Sequence, residues 1–228
     1  MADILYKSKN AIVIYKPYGM PSQPDPSGTP DAYTLLKEAL RAMGERDELY
    51  LIHRLDRVVS GLLIFARNKA AAAELSRLVT GEGIGKEYFA VIEGDATSGT
   101  LENYLVKNAA MGKALVVGST DNGAKLARLH YKALASVNTR QGTRTLVAVK
   151  LDTGRFHQIR AQLSANLSPI VGDKKYGSRD YLAKAPALIS HKLTLSLFDE
   201  SISVSCLPDT SIYPWSIFSE GDYSEKGE

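Results

Sequence analysis

One acidic residue lies among cations in the segment LIHRLDRVVSGLLIFA (residues 51–66), and it is the strongest candidate for chemistry in the chain. Asp56 has His53, Arg54 and Arg57 as close neighbours and precedes an apolar run. Flanking cations favour the ionised form of a carboxyl group, and an ionised carboxylate in a cleft can act as a nucleophile or a general base. On these residues alone, however, a surface ion pair of little energetic value is the simpler interpretation.

Other catalytic and binding motifs fail on spacing. The segment GEGIGK (81–86) has three residues between its outer glycines where a P-loop has four, and Glu87 stands where Ser or Thr would bind magnesium. The four histidines have neither i,i+4 spacing nor a CxxC partner, which argues against a metal site. The single cysteine, Cys206, excludes an internal disulfide framework, and no GxSxG motif is present. We therefore expect neither a metal nor a cofactor.

Hydrophobic patterning places these residues in a chain with many strands and few helices. Apolar runs predict strands at 11–15, 61–66, 87–94, 129–137, 145–153, 187–197 and 201–207. The strands at 129–137 and 145–153 are predicted to pair around the turn NTRQGT. A first helix is predicted over 31–43. A second is predicted to begin after Asn68, its N-terminal cap, and to end at GEGIG (81–85), and a third to cover FHQIRAQLSAN from Phe156. The rest of the sequence predicts a proline-rich loop at 16–30, short strands and glycine turns at 95–130, and a frayed tail from Tyr213. This arrangement is typical of the α+β class.

Composition and charge are compatible with a polyanionic partner. The chain has 228 residues, 44% hydrophobic and 23% charged, which suits one globular domain with a substantial core. Its net charge is +3, but residues 140–192 contain ten Lys or Arg against three acids. Such an excess suits RNA or DNA, and equally a solvated basic face. No apolar run approaches the ~18 residues of a membrane span, and no signal-peptide core is present, so we expect a cytoplasmic protein. The sequence leaves the oligomeric state open, with a monomer as the default.

Five segments, in order along the chain, match a known set of motifs. KPYGMPSQP (16–24) is similar to KPxGxxxxP, HRLDRVVSGLLIFA (53–66) to HRLDxxTSGxxxxA, and KEYFAVIEG (86–94) to KxYxAxVxG. TGRFHQIRAQLSANLSPIVGDKKYG (153–177) is similar to TGRxHQIRxHxxxxGxPIxGDxxYG, and LISHKLTL (188–195) loosely matches a last motif. In this order the segments resemble the RluA-type RNA pseudouridine synthases.

The resemblance implies an α+β pseudouridine synthase fold, with a mixed, mostly antiparallel sheet flanked by helices and loops and a central active-site cleft. It implies a catalytic domain at 1–212, a C-terminal tail at 213–228 and no N-terminal S4-like domain. The implied activity is isomerisation of uridine to pseudouridine in structured RNA, tRNA and/or 23S rRNA, without a cofactor. A non-catalytic RNA-binding or RNA-chaperone protein on the same scaffold, and a small-molecule isomerase or nucleosidase, are the alternatives.

The resemblance also assigns roles to individual residues. Asp56 becomes the essential carboxylate, acting by attack at C1′ or by abstraction of a sugar proton. Arg160 is expected to form a salt bridge with Asp56, because a buried carboxylate needs a cationic partner. Tyr88 is expected to stack on the flipped base and Leu188 to form the apolar wall below it, although both also fit plain core positions. The other predicted substrate-binding residues are His53, Arg54, Arg57, Lys86, Arg155 and His157, with Lys174, Lys175 and Arg179 as further phosphate contacts.

Overall fold

The computed structural model describes residues 3–81 and 83–224. The strands are β1 (Asp3–Lys7), β2 (Ala11–Lys16), β3 (Tyr50–Leu51), β4 (Ser60–Ala66), β5 (Ile84–Glu93), β6 (Ser98–Asn108), β7 (Lys113–Val117), β8 (Lys125–Thr139), β9 (Gly142–Leu151), β10 (Leu188–Leu197) and β11 (Glu200–Ser205). The α-helices are α1 (Ala32–Ala42), α2 (Lys69–Thr80) and α3 (Gln158–Asn166). The predicted α+β class is confirmed. None of the helices in the described ranges is both long and apolar enough to cross a membrane.

The chain divides into two compact units. The first unit comprises residues 1–86 and 189–206, and the second comprises residues 87–188 and 207–228. The division falls inside β5 and at the start of β10, so that each of these strands contributes residues to both units.

The first unit is built on a mostly antiparallel sheet. Strands β1, β2 and β4 are antiparallel neighbours, and β3 pairs with the end of β4. Strand β10 joins β4 through two parallel residue pairs, and β11 is antiparallel to the rest of β10. A buried cluster that includes Val13, Leu62, Ile64 and Leu193 packs against Leu75 of α2. Burial of these apolar side chains is the main stabilising contribution in this unit.

Helices α1 and α2 begin at side-chain caps. The Asp31 carboxylate accepts a hydrogen bond from the Thr34 amide, and the Asn68 side chain accepts one from the Ala71 amide, each at 2.9 Å. These bonds satisfy amides that have no partner within the helix. The predicted Asn68 cap is therefore confirmed. Gly81 directly follows the last residue of α2, as the GEGIG segment predicted, while residue 82 of that segment lies outside the described residues.

The second unit is an antiparallel sheet covered by α3. Its strands follow the order β5, β9, β8, β6 and β7, and the predicted β8–β9 hairpin is confirmed. Ala161 of α3 packs with Leu105, Ala114 and Ala127 of the strands. Gln162, which stands where the resembled motif has His, donates from Nε2 to the carbonyl oxygens of Leu101 and Ala127 at 3.2 and 3.1 Å. This buried amide fastens α3 to the sheet.

Helix α3 begins later than predicted. Its first residue is Gln158, because His157 has φ of 52° and lies in the left-handed region. Phe156 therefore lies outside the helix and does not share its apolar stripe. The ring of Phe156 stacks on the imidazole of His157 instead, with centroids 3.8 Å apart. The expectation of short strands at 95–130 holds for β7 and is wrong for β6 and β8, which are long strands paired over eight residues.

The expectation of a frayed end from Tyr213 is wrong for residues 213–224. The Tyr213 hydroxyl donates to Asp180 at 2.6 Å, and Tyr223 packs edge-on against Phe89 with ring centroids 5.5 Å apart. Phe218 and Tyr223 are buried. Burial of these aromatic rings outweighs the polar and acidic composition on which the prediction rested. Residues 225–228 lie outside the described residues.

Gly61 permits the close approach of β4 and β10. Its φ is 111°, and a Cβ at this position would lie 2.2 Å from the carbonyl oxygen of Ser190. The register pairs Gly61 directly with Ser190. Only glycine combines this backbone conformation with the absence of a side chain, so the parallel pairing depends on it.

We predict that Gly61→Ala destabilises the protein by about 3 kcal/mol or more, because backbone strain and steric overlap each cost about 1–3 kcal/mol. Urea unfolding measures the change. The control is Gly28→Ala, where φ is 66° but a Cβ would meet no atom within 4 Å. Equal losses in the two variants would show that overlap with Ser190 contributes nothing.

Candidate active site

Asp56 lies half-buried in the loop between β3 and β4, in the first unit. The amide of Val59 donates to the carbonyl oxygen of Asp56 at 3.0 Å, which closes a turn. The preceding residue, Leu55, is buried, and the hydroxyl of Ser22 accepts from its amide at 3.1 Å and donates to its carbonyl at 2.9 Å. Both backbone groups of Leu55 are thereby bonded to the proline-rich loop, which fixes the backbone that carries Asp56.

Arg57 makes a second connection to the same loop. Gly19 and Arg57 exchange two bonds of 2.9 Å, one from the Gly19 amide to the Arg57 carbonyl and one from the Arg57 Nε to the Gly19 carbonyl. The Arg57 guanidinium also donates to the hydroxyls of Ser27 and Thr29 at 3.2 and 3.0 Å. These contacts position the loop beside Asp56. A substrate-binding role for Arg57 stays a prediction.

Lys16 is a charged residue near Asp56 that sequence analysis did not single out. Its side chain is fully buried, and its Nζ donates to the carbonyl oxygens of Pro17 and Met20 at 3.1 and 2.9 Å. Burial lowers the pKa of Lys16 to about 8, and the negative charge of Asp56 opposes this shift. At neutral pH a buried ammonium group therefore stabilises the Asp56 carboxylate.

The other predicted residues of the first unit differ in exposure. Arg54 is exposed. The Nε2 atom of His53 is buried and has no hydrogen-bond partner in the described part of the chain. Burial, followed by the charge of Lys86, lowers the pKa of His53 to about 4. Lys86 is itself buried, and burial lowers its pKa as well. His53 is consequently a neutral side chain at physiological pH and lies near Lys86.

Arg160 forms a buried bidentate ion pair in the second unit. Its Nε donates to one oxygen of Asp173 at 2.6 Å and its Nη2 to the other at 2.9 Å. Both side chains are buried, with exposed fractions of 4% and 1%. The ring of Tyr176 lies 5.0 Å from the guanidinium carbon. A planar fork held by a carboxylate and covered by an aromatic ring has a fixed orientation.

His157 secures this arrangement through Tyr176. Its Nδ1 lies 2.9 Å from the Tyr176 hydroxyl, which also accepts from the Ala114 amide at 2.7 Å. The same hydroxyl donates to the Ala114 carbonyl oxygen at 3.4 Å, so Tyr176 is held between the His157 ring and the backbone of β7. Burial, followed by the charge of Arg160, lowers the pKa of His157 to about 3.

The remaining predicted residues of the second unit occupy distinct environments. Tyr88 is buried in β5 opposite Val149, and its side chain points away from the face on which Phe89 meets Tyr223, because successive strand residues alternate. Leu188 is buried at the start of β10. Arg155 is exposed, and its Nε donates to the Leu126 carbonyl at 2.9 Å.

The motifs predict that Asp56 is the partner of Arg160. Asp56 belongs to the first unit and Arg160 to the second, so this pairing stays a prediction. The partner that the structure adds is Asp173. Asp173 and Tyr176 both fall in the quoted segment VGDKKYG, and Lys16 and Ser22 fall in KPYGMPSQP. Because these residues lie in motifs shared with the family, the motifs could have identified them as functional residues. The residues that they contact could not be identified in this way, because tertiary structure sets those contacts.

A comparison with known protein families identifies the chain. The family described as RNA pseudouridylate synthase matches residues 10–165, more than half of the sequence, and this span includes Asp56, Tyr88 and Arg160. The chain belongs to this family. The resemblance stated from the motifs is therefore confirmed.

Individual relatives agree with membership of the pseudouridylate synthase family. The chain is 30% identical over 194 residues to the uncharacterized RNA pseudouridine synthase YhcT of Bacillus subtilis, covering 84% of this chain and 63% of that protein. It is 31% identical over 202 residues to ribosomal large subunit pseudouridine synthase D of Borreliella burgdorferi, covering 85% and 60%. The chain therefore spans less than two thirds of the length of these two curated relatives.

A solved structure supports the family fold. The human RNA pseudouridylate synthase domain containing 4 protein has a TM-score of 0.74 with this chain at 25% identity, covering 91% of this chain and 89% of the other. The predicted pseudouridine synthase fold is thus confirmed.

We predict that Ser22→Ala destabilises this pseudouridylate synthase family member by about 2 kcal/mol, because the amide and carbonyl of buried Leu55 both lose their partner. Urea unfolding measures the loss, and hydrogen exchange at the Leu55 amide locates it. The control is Ser76→Ala on the exposed face of α2. Unchanged exchange at Leu55 would contradict the proposed fastening of the Asp56 loop.

We predict that the His157 imidazole stays neutral from pH 7 down to about pH 4, because its pKa is about 3 in the folded protein. The unfolded chain takes up this proton near pH 6.5, so stability is lost as the pH falls from about 6.5 towards 3. NMR titration of the imidazole measures the pKa, with His157→Asn to assign the signal. Titration near pH 6 would contradict the buried, cation-flanked environment.

Proposed function

We propose that this chain is an RNA pseudouridine synthase that isomerises specific uridines in structured RNA, tRNA and/or 23S rRNA, with Asp56 as its essential carboxylate. The observation that carries the proposal is the environment of Asp56 in a member of this family. The carboxylate lies half-buried on a turn fastened by Ser22 and Arg57, beside the buried ammonium group of Lys16. The name of the Borreliella relative supports ribosomal RNA as one substrate class.

The proposed reaction moves a glycosidic bond without net oxidation or reduction. The bond from N1 of uracil to C1′ breaks, the base turns, and a bond from C5 to C1′ forms, while the proton of C5 is released and N1 gains one. No external energy source is required. Asp56 starts the reaction by attack at C1′ or by removal of a sugar proton, and both routes require the ionised carboxylate.

The charge of Lys16 suits either route. A fixed ammonium group keeps Asp56 ionised, and its Nζ atom is itself held by the carbonyl oxygens of Pro17 and Met20. In a medium of low polarity this charge acts more strongly than it would in water. We propose that Lys16 positions and stabilises the carboxylate and does not contact the reacting atoms.

The target uridine must leave its helix to reach a carboxylate inside a protein. We propose that Tyr88 stacks on the extruded base and that Leu188 forms the apolar wall below it. Arg54 is exposed, and its planar cation suits the space that the base leaves in the RNA. Arg160, held by Asp173 and Tyr176, is the proposed partner of Asp56.

Further predicted contacts complete the proposal. Arg155, which is exposed, is proposed to bind a phosphate, and His53 and His157 to shape the site as neutral side chains. Lys86 is buried, so its substrate-binding role stays a prediction without a phosphate contact. An enzyme that modifies tRNA or rRNA acts where these RNAs are found, so we propose a cytoplasmic location and take a monomer as the default state.

The proposal is tested by incubating the purified protein with unmodified tRNA and 23S rRNA from its own host and mapping pseudouridine by chemical labelling. We expect pseudouridine at one or a few uridines that are unmodified in a deletion strain. No pseudouridine on any of these RNAs, with a correctly folded protein, would overturn the proposal.

We predict that Asp56→Asn abolishes product formation, lowering the rate by at least about 10³-fold, since an amide can neither attack nor remove a proton. RNA binding and the unfolding free energy should change little. The matched control is Asp199→Asn in the exposed turn between β10 and β11, which should retain full activity. A turnover-competent Asp56→Asn variant would remove Asp56 from its proposed role and favour another carboxylate.

A further inference from the structure

Three lysines lie together in the second unit, around the hairpin of β6 and β7. The Nζ atom of Lys107 lies 4.9 Å from the centroid of the Phe156 ring, and that of Lys113 lies 5.8 Å from the centroid of the Tyr176 ring. Lys175 donates from Nζ to the carbonyl oxygen of Gly112 at 3.1 Å. Lys107, Lys113 and Lys175 are called the hairpin lysine cluster.

The positive charge of the hairpin lysine cluster is not neutralised locally. In residues 3–81 and 83–224, none of the three lysines forms an ion pair. Asp173 is the acid whose charge acts on the neighbouring His157, and both of its oxygens are bonded to Arg160. The charges of Arg160, Lys175 and Lys107 all lower the pKa of the neighbouring His157, which agrees with a region of net positive potential.

The lysines are also held in place. Two ammonium groups lie over aromatic rings, and the third is bonded to a backbone carbonyl of the hairpin tip. A solvated basic face would leave long side chains free, whereas ordered ammonium groups lose less conformational freedom when they bind a ligand. This order, together with uncompensated charge, is characteristic of a surface that binds an anion.

We propose that the hairpin lysine cluster binds consecutive phosphates of the RNA backbone. This inference rests on the proposed function, because it takes RNA as the ligand. A phosphodiester chain carries one charge per nucleotide, so one RNA segment supplies several anions to several lysines. Contacts of this kind position an RNA and contribute affinity without reading its sequence.

The test measures how RNA binding depends on salt. The dissociation constant of a structured RNA substrate is measured at several KCl concentrations for the full chain and for the triple variant Lys107→Gln, Lys113→Gln, Lys175→Gln. Each lost phosphate contact lowers the slope of log K against log salt by roughly 0.7–0.9. We expect the slope of the triple variant to be shallower by about 2, with an unchanged circular dichroism spectrum.

The matched control removes the same formal charge elsewhere, in the triple variant Lys9→Gln, Lys69→Gln, Lys150→Gln, whose lysines are exposed. Its slope should remain near that of the unaltered chain. A hairpin-cluster variant with the slope of the control would overturn the inference. Competition by polyglutamate as strong as that by RNA of equal charge would also overturn it, in favour of an acidic protein partner.

The two proposals can fail separately. If the unaltered chain binds RNA and forms no pseudouridine, the proposed function fails while the slopes still decide the role of the hairpin lysine cluster. If pseudouridine forms and the slopes of both triple variants match that of the unaltered chain, only the inference about the cluster fails. A chain that binds no RNA at any salt concentration overturns both.

Discussion

The fastening of the Asp56 turn to the proline-rich loop is the interaction on which the proposed chemistry depends. A short loop with an exposed arginine on each side of an acid has little reason to hold one conformation. Ser22 removes this freedom by bonding both backbone groups of Leu55, and Gly19 and Arg57 add a reciprocal pair of bonds. The carboxylate is thereby presented from a defined backbone, which is the condition for preorganised catalysis.

Both units contain a buried cation, and each unit compensates the cost of burial differently. Lys16 in the first unit is bonded to two carbonyl oxygens, and its pKa falls to about 8. Arg160 in the second unit is bonded through two nitrogens to the carboxylate of Asp173. A guanidinium remains charged in such a site, whereas an ammonium group becomes easier to deprotonate. This difference suits Arg160 to fixed orientation and Lys16 to electrostatic support of Asp56.

Several local features were predictable because they depend on neighbouring residues. The Asn68 cap, the β8–β9 hairpin and the strand that follows Asp56 were predicted from residue types and short-range periodicity. The start of α3 was not predictable in this way. His157 has a helix-compatible sequence around it, but its ring stacks on Phe156 and bonds Tyr176, and these contacts select a left-handed backbone. Tertiary contacts also order the C-terminal segment, where Tyr213 and Tyr223 find partners far away in sequence.

The sequence by itself determined the α+β class, the family and the candidate carboxylate, because motif order and hydrophobic spacing are properties of the chain alone. Only the tertiary structure decided that Lys16 is buried and that Asp173 binds Arg160. Lysine is among the residues least often buried, so no local pattern predicts the burial of one. Which acid meets which base depends on the path of the chain between them, and that path is set by the packing of strands and helices.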